Sequence, residues 1–363
     1  MEALAAQLVG AGEEALAFGK VGPRKGEPTS ADFHAVRAGL PFGTRGRREL
    51  KLGRAMRAAA RQAQCDVTVG VRHLEEVDIL WMHGGSHVAT MEALYRARHD
   101  GELPIGGLRL RGRHRAFAAL ERRALEGGAR RVVCPSNMVA KELGKRYPAA
   151  KERLVVAPSG VDLERFHPRE RVRASHRLRQ IARCPAHAPL IVLAARNPEL
   201  KGFPAALAAL APLQHKPWHL LLAGVKRPGR WRQFAQRRGL AGRVTVSADV
   251  DPVELAAGAD LCILPTWRDT FGLVILEALA SGTPVLATQQ AGASELLGDG
   301  PAGRSLDSPL ARADWTRELS SVLDSIFTGI DPLAVRAAVA HRGHGPWLDQ
   351  LVQLCREMGG KNP

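Results

Sequence analysis

Short, mostly apolar runs separated by helical stretches recur along this chain. Six of them lie at residues 77–82, 132–136, 189–195, 219–224, 259–266 and 284–287. Runs of this length without polar alternation are typical of parallel strands that are buried on both faces. Because the strands alternate with helices, the pattern predicts parallel sheets covered by helices on both sides.

The last two runs enclose a helix, predicted from about Gly272 to Ser281. Asp269 precedes it, at the end of a helix where unpaired N–H groups favour a polar or anionic ligand. Glu277 lies five residues past Gly272, roughly 7 to 8 Å along the axis. Two acceptors with this separation suit a nucleotide sugar, which has hydroxyls at both ends and phosphates between them.

A second loop, carrying two cations, follows the run at 189–195. Arg196 comes directly after the run, and Lys201 and Gly202 come next at an Arg-x4-Lys-Gly spacing. Two fixed cations can neutralise the negative charge that a leaving diphosphate gains. Taken alone, the pair is better interpreted as two ordinary surface bases.

Together these loops resemble the signatures of the family 4 glycosyltransferases. The family carries an acidic-x7-Glu pattern, matched here by Asp269 and Glu277, with Asp where most members have Glu. It also carries the Arg-x4-Lys-Gly pattern of the second loop. Weaker matches at residues 132–143 and 153–168, where Ser159 replaces the usual Asn, extend the resemblance over nearly the whole chain.

The resemblance implies an α/β fold of the glycosyltransferase B type, with two Rossmann-like domains facing across a cleft. Residues 1–155 would form the N-terminal, acceptor-binding domain and residues 156–335 the C-terminal, nucleotide-sugar-binding domain. A C-terminal helix in residues 336–363 would cross back to the N-terminal domain.

The implied activity is that of a retaining, metal-independent hexosyltransferase. It would move a sugar from a nucleotide sugar to a glycan or glycolipid acceptor, in cell-envelope polysaccharide or lipopolysaccharide core synthesis. The protein would be cytoplasmic, at the inner face of a bacterial membrane, and would need no cofactor. Two alternatives remain: a catalytically degenerate sugar-nucleotide-binding subunit, and another enzyme of the same fold such as a sugar-nucleotide epimerase or a glycan phosphorylase.

The family's residue roles can be placed on matching positions. By these roles, Arg196 and Lys201 would bind the diphosphate of the donor, and Glu277 would bind its ribose. The donor sugar would be bound by an acid and the residues that follow it, namely Asp269, Thr270, Phe271, Gly272 and Leu273.

The N-terminal domain carries a candidate loop after the run at 77–82. That run delivers His83 to the carboxyl end of a strand, where open parallel sheets bind ligands. Family members commonly place a His here, close to the donor sugar, so the resemblance implies a catalytic role for His83, although a lone His is more often structural. The acceptor side is expected at Gly84, Gly85 and Ser86, and His87, Arg72 and His73 are unranked neighbours.

The chain departs from the family pattern at its start. Residues 1–10 resemble the family's first helix and residues 14–19 its second strand. The first strand and its Gly-Gly loop are therefore missing, either because the recorded start is late or because the protein lacks part of its donor cleft. A sheet without that strand should present an exposed edge or groove beside residues 15–18, or be patched by another segment.

Charge is distributed unevenly. The chain has a net charge of +16, and residues 101–250 hold 30 Lys and Arg against 10 Asp and Glu, whereas residues 251–300 hold one against seven. The densest basic segment, residues 108–125, includes a predicted amphipathic helix. It could contact an anionic membrane or an anionic glycan, or be an ordinary solvated face. Nucleic acid is disfavoured because no RNA-binding or helix-turn-helix pattern accompanies it.

Cysteine spacing, the length of the apolar stretches and one Asp-x-Asp pair indicate which classes of protein are excluded. The five cysteines are odd in number and lack Cys-x2-Cys spacing, which favours reduced thiols and no metal site. No apolar stretch is long enough to span a bilayer, and no signal peptide is visible. Asp249 and Asp251 imitate a metal-binding Asp-x-Asp, but they fall in the loop before a predicted helix, so no metal is expected there.

Overall fold

The computed structural model of the protein describes residues 2–19, 32–36, 45–71 and 76–360. The chain forms two compact units. Unit 1 comprises residues 1–90, 107–158 and 345–363, and unit 2 comprises residues 91–106 and 159–344. The predicted bounds of 155 and 336 therefore lie close to two of the crossings, but residues 91–106 group with unit 2 and not with the N-terminal domain.

Unit 1 alternates strands and helices. In chain order its elements are α1 (Glu2–Gly10), β1 (Leu16–Gly19), β2 (Asp32–Ala35), α2 (Arg45–Gln62), β3 (Val69–Gly70), β4 (Val77–Trp81), the start of α3 (His87–Arg98), α4 (Gly112–Arg123), β5 (Ala129–Cys134), α5 (Asn137–Arg146), β6 (Leu154–Val156) and most of α13 (His344–Met358).

Four strands of unit 1 form a parallel sheet in the order β3-β4-β5-β6. Successive residues of β5 point to opposite faces, as the period of two requires. Val132 and Cys134 pack on one face with residues of α5 and with Ala124 and Leu125, in the π-helical turn that follows α4. Val133 packs on the other face, where the apolar sides of α1 and α13 cover it. Both faces are therefore buried, which explains the continuous apolar run.

The remaining two strands, β1 and β2, form a separate parallel pair. In the common doubly wound order 3-2-1-4, the first strand lies between the second and the fourth. Among the residues that the structure describes, β1-β2 and β3-β4-β5-β6 are separate sheets, and no strand pairs with both β1 and β3. The absence of the family's first strand stays a prediction.

Unit 2 contains the second set of elements. In chain order these are the end of α3, α6 (Arg171–Ala182), β7 (Leu190–Ala194), α7 (Phe203–Leu210), β8 (His219–Ala223), α8 (Pro228–Gln236), β9 (Val244–Val246), α9 (Pro252–Gly258), β10 (Leu261–Leu264), α10 (Leu273–Ala280), β11 (Val285–Thr288), β12 (Gly303–Leu306), α11 (Arg312–Thr328) and α12 (Pro332–Ala337).

The six strands of unit 2 are parallel and follow the order β12-β11-β10-β7-β8-β9. Leu190 and Val192 of β7 pack on one face with residues of α6, α9, α10 and α12. Ile191 and Leu193 pack on the other face with residues of α7, α8 and α11. The chain runs from β7 outward to β9 and then returns to β10 on the other side of β7. The order therefore reverses between β7 and β10.

Helices α6 and α9 of unit 2 approach closely at Gly258. A Cβ placed there would lie 2.6 Å from the carbonyl oxygen of Ala174 and 2.9 Å from Cβ of Leu178. We expect Gly258→Ala to lower the free energy of unfolding by about 1 to 3 kcal/mol, because the packed helices must shift. Gly229→Ala is the matched control, since a Cβ at that position of α8 meets no atom within 4 Å. Urea unfolding measures both, and equal midpoints for the two variants would contradict this packing.

Candidate functional site

Two loops meet at the point where the strand order of unit 2 reverses. One follows β7 and spans residues 195–202, and the other follows β10 and spans residues 265–272. Because β7 and β10 are hydrogen-bonded neighbours, both loops leave the same edge of the sheet. Open α/β sheets bind ligands at such a reversal, outside the carboxyl ends of the strands.

Backbone contacts fix these two loops against each other. The carbonyl of Leu200 accepts hydrogen bonds from the Trp267 N–H at 2.9 Å and from the Thr266 hydroxyl at 3.0 Å. Gly202 has a positive φ of 76°, and a Cβ there would lie only 1.6 Å from the Pro265 carbonyl oxygen. Only glycine permits so close an approach, which explains the Gly in the Lys-Gly pair.

Lys201 and Asp269 form an ion pair across the loops, with Nζ of Lys201 donating to Oδ2 of Asp269. Both side chains are largely buried, at 22% and 17% exposure. The backbone of Asp269 is held in turn, because its N–H donates to Gln290 at 2.8 Å and its carbonyl accepts from Gly292 at 3.1 Å. The structure thus brings together two residues that the sequence assigned to different parts of a donor.

Glu199, between the two predicted cations of the first loop, binds two further arginines. Its carboxylate lies 2.6 Å from Nε of Arg98 and 2.5 Å from a terminal nitrogen of Arg230. Burial alone would raise the pKa of Glu199, but the hydrogen bonds and charges of the two arginines outweigh it and lower the pKa. Sequence reasoning missed this cluster because its members are far apart along the chain. Arg196 itself is exposed.

The second loop leads into α10 through Gly272, whose φ of 88° is in the left-handed region. Phe271 is buried, and its N–H lies 3.4 Å from Oδ1 of Asp269. Leu273, the first residue of the helix, is exposed, and Thr270 is half-buried. The first N–H groups of a helix have no partner within it, so this end of α10 offers donors to a polar ligand.

Glu277 lies on the second turn of α10 and is half-buried. Burial raises the pKa of its carboxyl group, and the positive charge of Arg165 partly opposes this. A carboxylate in this environment gains from hydrogen-bond donors, and a pair of ribose hydroxyls can supply them.

In unit 1, the predicted loop follows β4. The N–H of Met82 donates to Val133 and the N–H of Gly85 donates to Met82, both at 2.8 Å, so residues 83–85 form a tight turn. His83 and Gly84 are exposed, whereas Gly85 is buried. The His83 ring lies edge-on to Trp81 with centroids 6.4 Å apart.

Ser86 is buried within unit 1, away from its surface. Its hydroxyl accepts from the Ala89 N–H at 3.1 Å, which caps α3, and donates to Glu121 at 2.5 Å. The neighbouring His87 stacks on His114, with Nε2 and Nδ1 3.1 Å apart. Glu121 and His114 of α4 were not predicted as site residues. Arg72 and His73 lie outside the described residues.

Helix α4 shows the predicted amphipathic division, but its apolar face is covered by protein. Leu120 of α4 is buried, as are Ala124 and Leu125 in the π-helical turn Ala124–Gly128 that follows it, and the last two belong to the core beside the sheet of unit 1. The arginines at 109, 111, 113, 115, 122 and 123 are exposed. What this helix presents to a partner is therefore positive charge and not apolar surface.

The Asp-x-Asp pair at 249 and 251 lies directly before α9. Asp251 caps α9, since its Oδ1 accepts the N–H groups of Val253 at 2.8 Å and Glu254 at 3.1 Å. Within the described ranges, no helix is both long and apolar enough to cross a bilayer.

Residues 1–165 match the family model described as Glycosyltransferase Family 4, and residues 188–325 match the model described as Glycosyl transferases group 1. The chain belongs to the family 4 glycosyltransferases. The predicted family membership is thus confirmed.

Its curated relatives include D-inositol 3-phosphate glycosyltransferases. The one from Paenarthrobacter aurescens (strain TC1) is 32% identical over 287 residues, covering 75% of this chain and 66% of the relative. The one from Nocardia farcinica (strain IFM 10152) is 31% identical over 208 residues, covering 54% and 45%. The chain thus spans less than two thirds of the length of these relatives.

Solved structures of the same fold include WaaG, a glycosyltransferase involved in lipopolysaccharide biosynthesis. It superposes with a TM-score of 0.77 at 19% identity, covering 97% of this chain and 94% of WaaG. Sucrose-phosphate synthase from Thermosynechococcus elongatus gives 0.74 at 20% identity, covering 99% and 92%. The prediction of two Rossmann-like domains of the glycosyltransferase B type is confirmed.

The raised pKa of Glu277 yields a prediction about stability. A buried acid whose folded pKa exceeds its unfolded value destabilises the fold as pH rises from the unfolded pKa through the folded one. We therefore expect Glu277→Gln to raise the melting temperature at pH 7.5, by roughly 1 to 4 °C. The gain should shrink as pH is lowered through the raised pKa of Glu277, because the wild-type carboxyl then becomes protonated as well.

Thermal unfolding over pH 4 to 8 measures this gain, and calorimetry with free nucleoside diphosphate should show weakened binding by the same variant. Glu152→Gln removes an exposed carboxylate of unit 1 and serves as the control. A melting temperature that falls in Glu277→Gln at pH 7.5 would mean that Arg165 stabilises the charged form more than burial destabilises it.

Proposed function

We propose that this protein transfers a sugar from a nucleoside diphosphate sugar to a hydroxyl of an acceptor, with retention of anomeric configuration. The observation that carries the proposal is the meeting of Lys201 and Asp269 at the strand-order reversal of unit 2. A cation for a diphosphate and an acid for sugar hydroxyls are there held side by side, next to the N-terminus of a helix.

The donor's diphosphate is assigned to Arg196, Lys201 and the first N–H groups of α10. As the bond between the anomeric carbon and the phosphate oxygen breaks, negative charge grows on the diphosphate, and fixed cations stabilise it. Lys201 then lies between two anions, the diphosphate and Asp269. The second oxygen of Asp269, which the Phe271 N–H approaches at 3.4 Å, is assigned to a sugar hydroxyl, and Glu277 is assigned to the ribose.

The proposed chemistry is substitution on one face of the sugar. The acceptor oxygen forms a bond to the anomeric carbon on the side from which the diphosphate leaves, and the acceptor's proton passes to a diphosphate oxygen. The cations replace a metal in neutralising the leaving group. We assign His83 and the turn at Gly84 and Gly85 to the reacting sugar and acceptor, with Ser86 supporting the turn from within.

The acceptor is proposed to be anionic. The named activity of the curated relatives involves D-inositol 3-phosphate, which carries a phosphate, and the exposed arginines of α4 favour any acceptor with negative charge. A glycan or glycolipid of the cell envelope, including a lipopolysaccharide core, fits the same description. Work on such a glycolipid would place the protein in the cytoplasm at the inner face of the membrane.

A second candidate is a nucleotide-sugar-binding subunit without transfer activity. It is favoured by Asp at position 269, where most family members have Glu, and by the divided sheet of unit 1. Slow hydrolysis of a bound donor by the purified protein would exclude it.

Thermal-shift screening against nucleoside diphosphates and their sugars tests the proposal first, and transfer assays follow with the donor that binds. The acceptor panel contains inositol phosphates, lipopolysaccharide core fragments and neutral glycans. Binding of a nucleoside diphosphate together with transfer to an anionic acceptor is expected. Failure of every nucleotide to bind would overturn the assignment of unit 2.

Lys201→Ala should lower kcat by on the order of 10²-fold or more, because one fixed cation is lost at the developing charge of the leaving group. Lys216→Ala is a matched control. Lys216 is equally buried and is paired with Asp324 at 2.5 Å. It precedes β8, however, so it lies at the amino ends of the strands and not at the carboxyl ends, where Lys201 lies. Steady-state kinetics at saturating donor measure both, and near-normal turnover of Lys201→Ala would refute the diphosphate assignment.

Attraction of the protein to anionic vesicles through residues 108–125 should be purely electrostatic, since the apolar face of α4 is covered. Changing Arg109, Arg111, Arg113 and Arg115 to Gln should remove roughly 1 kcal/mol per residue, and raising salt should weaken binding of the wild type. The control with the same charge change uses four exposed residues of unit 2, Arg173, Arg177, Arg237 and Arg238. Equal vesicle binding by the two quadruple variants, measured by co-sedimentation, would leave the basic face as an ordinary solvated surface.

A further inference from the structure

Glu121 of α4 is an acid in the interior of unit 1, with no solvent exposure. Its two oxygens accept three hydrogen bonds from other segments. Oε1 accepts from the Ser86 hydroxyl at 2.5 Å and from the Tyr147 hydroxyl at 2.8 Å, and Oε2 accepts from the His87 N–H at 2.5 Å. A buried acid with this many donors holds the segments that supply them in one arrangement.

Two of those three donors belong to the end of the His83 loop. The loop is anchored at its start by the Met82 N–H, which donates to Val133 of β5. It is anchored at its end by Ser86 and His87, which both donate to Glu121. Only His83, Gly84 and Gly85 lie between the anchors, so the position of the exposed His83 depends on both of them.

The same surface of α4 contacts the loop through aromatic rings as well. The His87 ring stacks on His114 with centroids 5.2 Å apart and lies edge-on to Phe117 at 5.3 Å. These contacts fix the first residue of α3 but do not touch residues 83–85. Glu121 therefore contacts the end of the turn directly, through hydrogen bonds from Ser86 and His87.

We propose that Glu121 is a positioning residue for transfer, which holds the His83 turn in the geometry that the acceptor requires. This inference rests on the proposed function, because it assigns the turn to the acceptor side of the reaction. It adds a residue to that side which touches neither donor nor acceptor. Because nucleotide binding is assigned to unit 2, loss of Glu121 should impair transfer while leaving donor affinity intact.

Glu121→Gln is the most specific test, because it keeps the shape of the side chain and supplies one acceptor oxygen in place of two. The amide nitrogen must then face either the His87 N–H or the two hydroxyls. We expect kcat/KM for the acceptor to fall by on the order of 10²-fold, as for other misplacements of about 1 Å. Donor affinity by calorimetry should stay within about 2-fold, and amide hydrogen exchange at residues 84–87 should accelerate.

Two variants separate positioning from general destabilisation. Tyr147→Phe removes one hydrogen bond of Glu121 but leaves both bonds to the loop, so transfer should stay within about 3-fold of wild type even if the melting temperature falls. Glu318→Gln changes another buried acid, which is paired with Arg304 in unit 2, and should not alter exchange at residues 84–87. Should Glu121→Gln not fold, Ser86→Ala tests the same anchor.

The outcomes are distinguishable. Wild-type transfer and wild-type exchange in a folded Glu121→Gln would overturn the proposal, as would an equal loss of transfer in Tyr147→Phe. A loss of donor affinity that parallels the loss of transfer would also overturn it. If the wild-type protein binds no nucleotide, the proposed function fails, while hydrogen exchange at residues 84–87 still decides whether Glu121 holds the turn.

Discussion

The contact between the loops after β7 and β10 is the constraint on which the proposed donor site depends. Lys201 and Asp269 are 68 positions apart, and they meet because their strands are neighbours in the sheet and because Gly202 lets one backbone lie against the other. The ion pair fixes the side chain of Lys201, and the backbone hydrogen bonds of Asp269 fix the position of its carboxylate. The two side chains therefore occupy fixed positions before any ligand arrives, which lowers the entropy lost on binding.

Two acids partly neutralise the positive charge around this contact. Arg98, Arg196, Arg230 and Lys201 lie in or against the first loop, whereas Glu199 and Asp269 each bind some of them. The acids order the cations and reduce their mutual repulsion, yet an excess of positive charge remains. Such a balance suits a diphosphate better than an unopposed cluster, because cations held in place need not reorganise as charge develops.

The sequence predicted the strands of this fold more completely than their contacts. Strands buried on both faces appear as apolar runs, so β7, β8 and β10 could be placed to within one or two residues. Pairs such as Arg98 with Glu199 could not be predicted, because spacing carries no information about which distant segments meet. The segment formed by α4 and the turn after it shows this limit: its period revealed an apolar face at Leu120 and Ala124, but not that protein would cover that face.

Unit 1 joins segments that are far apart along the sequence, and this affects how the protein can fold during synthesis. Helix α13 covers the sheet face formed by Ile79, Trp81 and Val133, and Gln7 of α1 bonds to Asp349 at 2.7 Å across 342 positions. The residues of α1 therefore wait for α13, which is synthesised more than 300 positions later, before their apolar surface is covered. Every segment of unit 2 is complete by residue 344. The C-terminal unit can thus reach its native state before the N-terminal unit, which reverses the usual order for a two-domain protein.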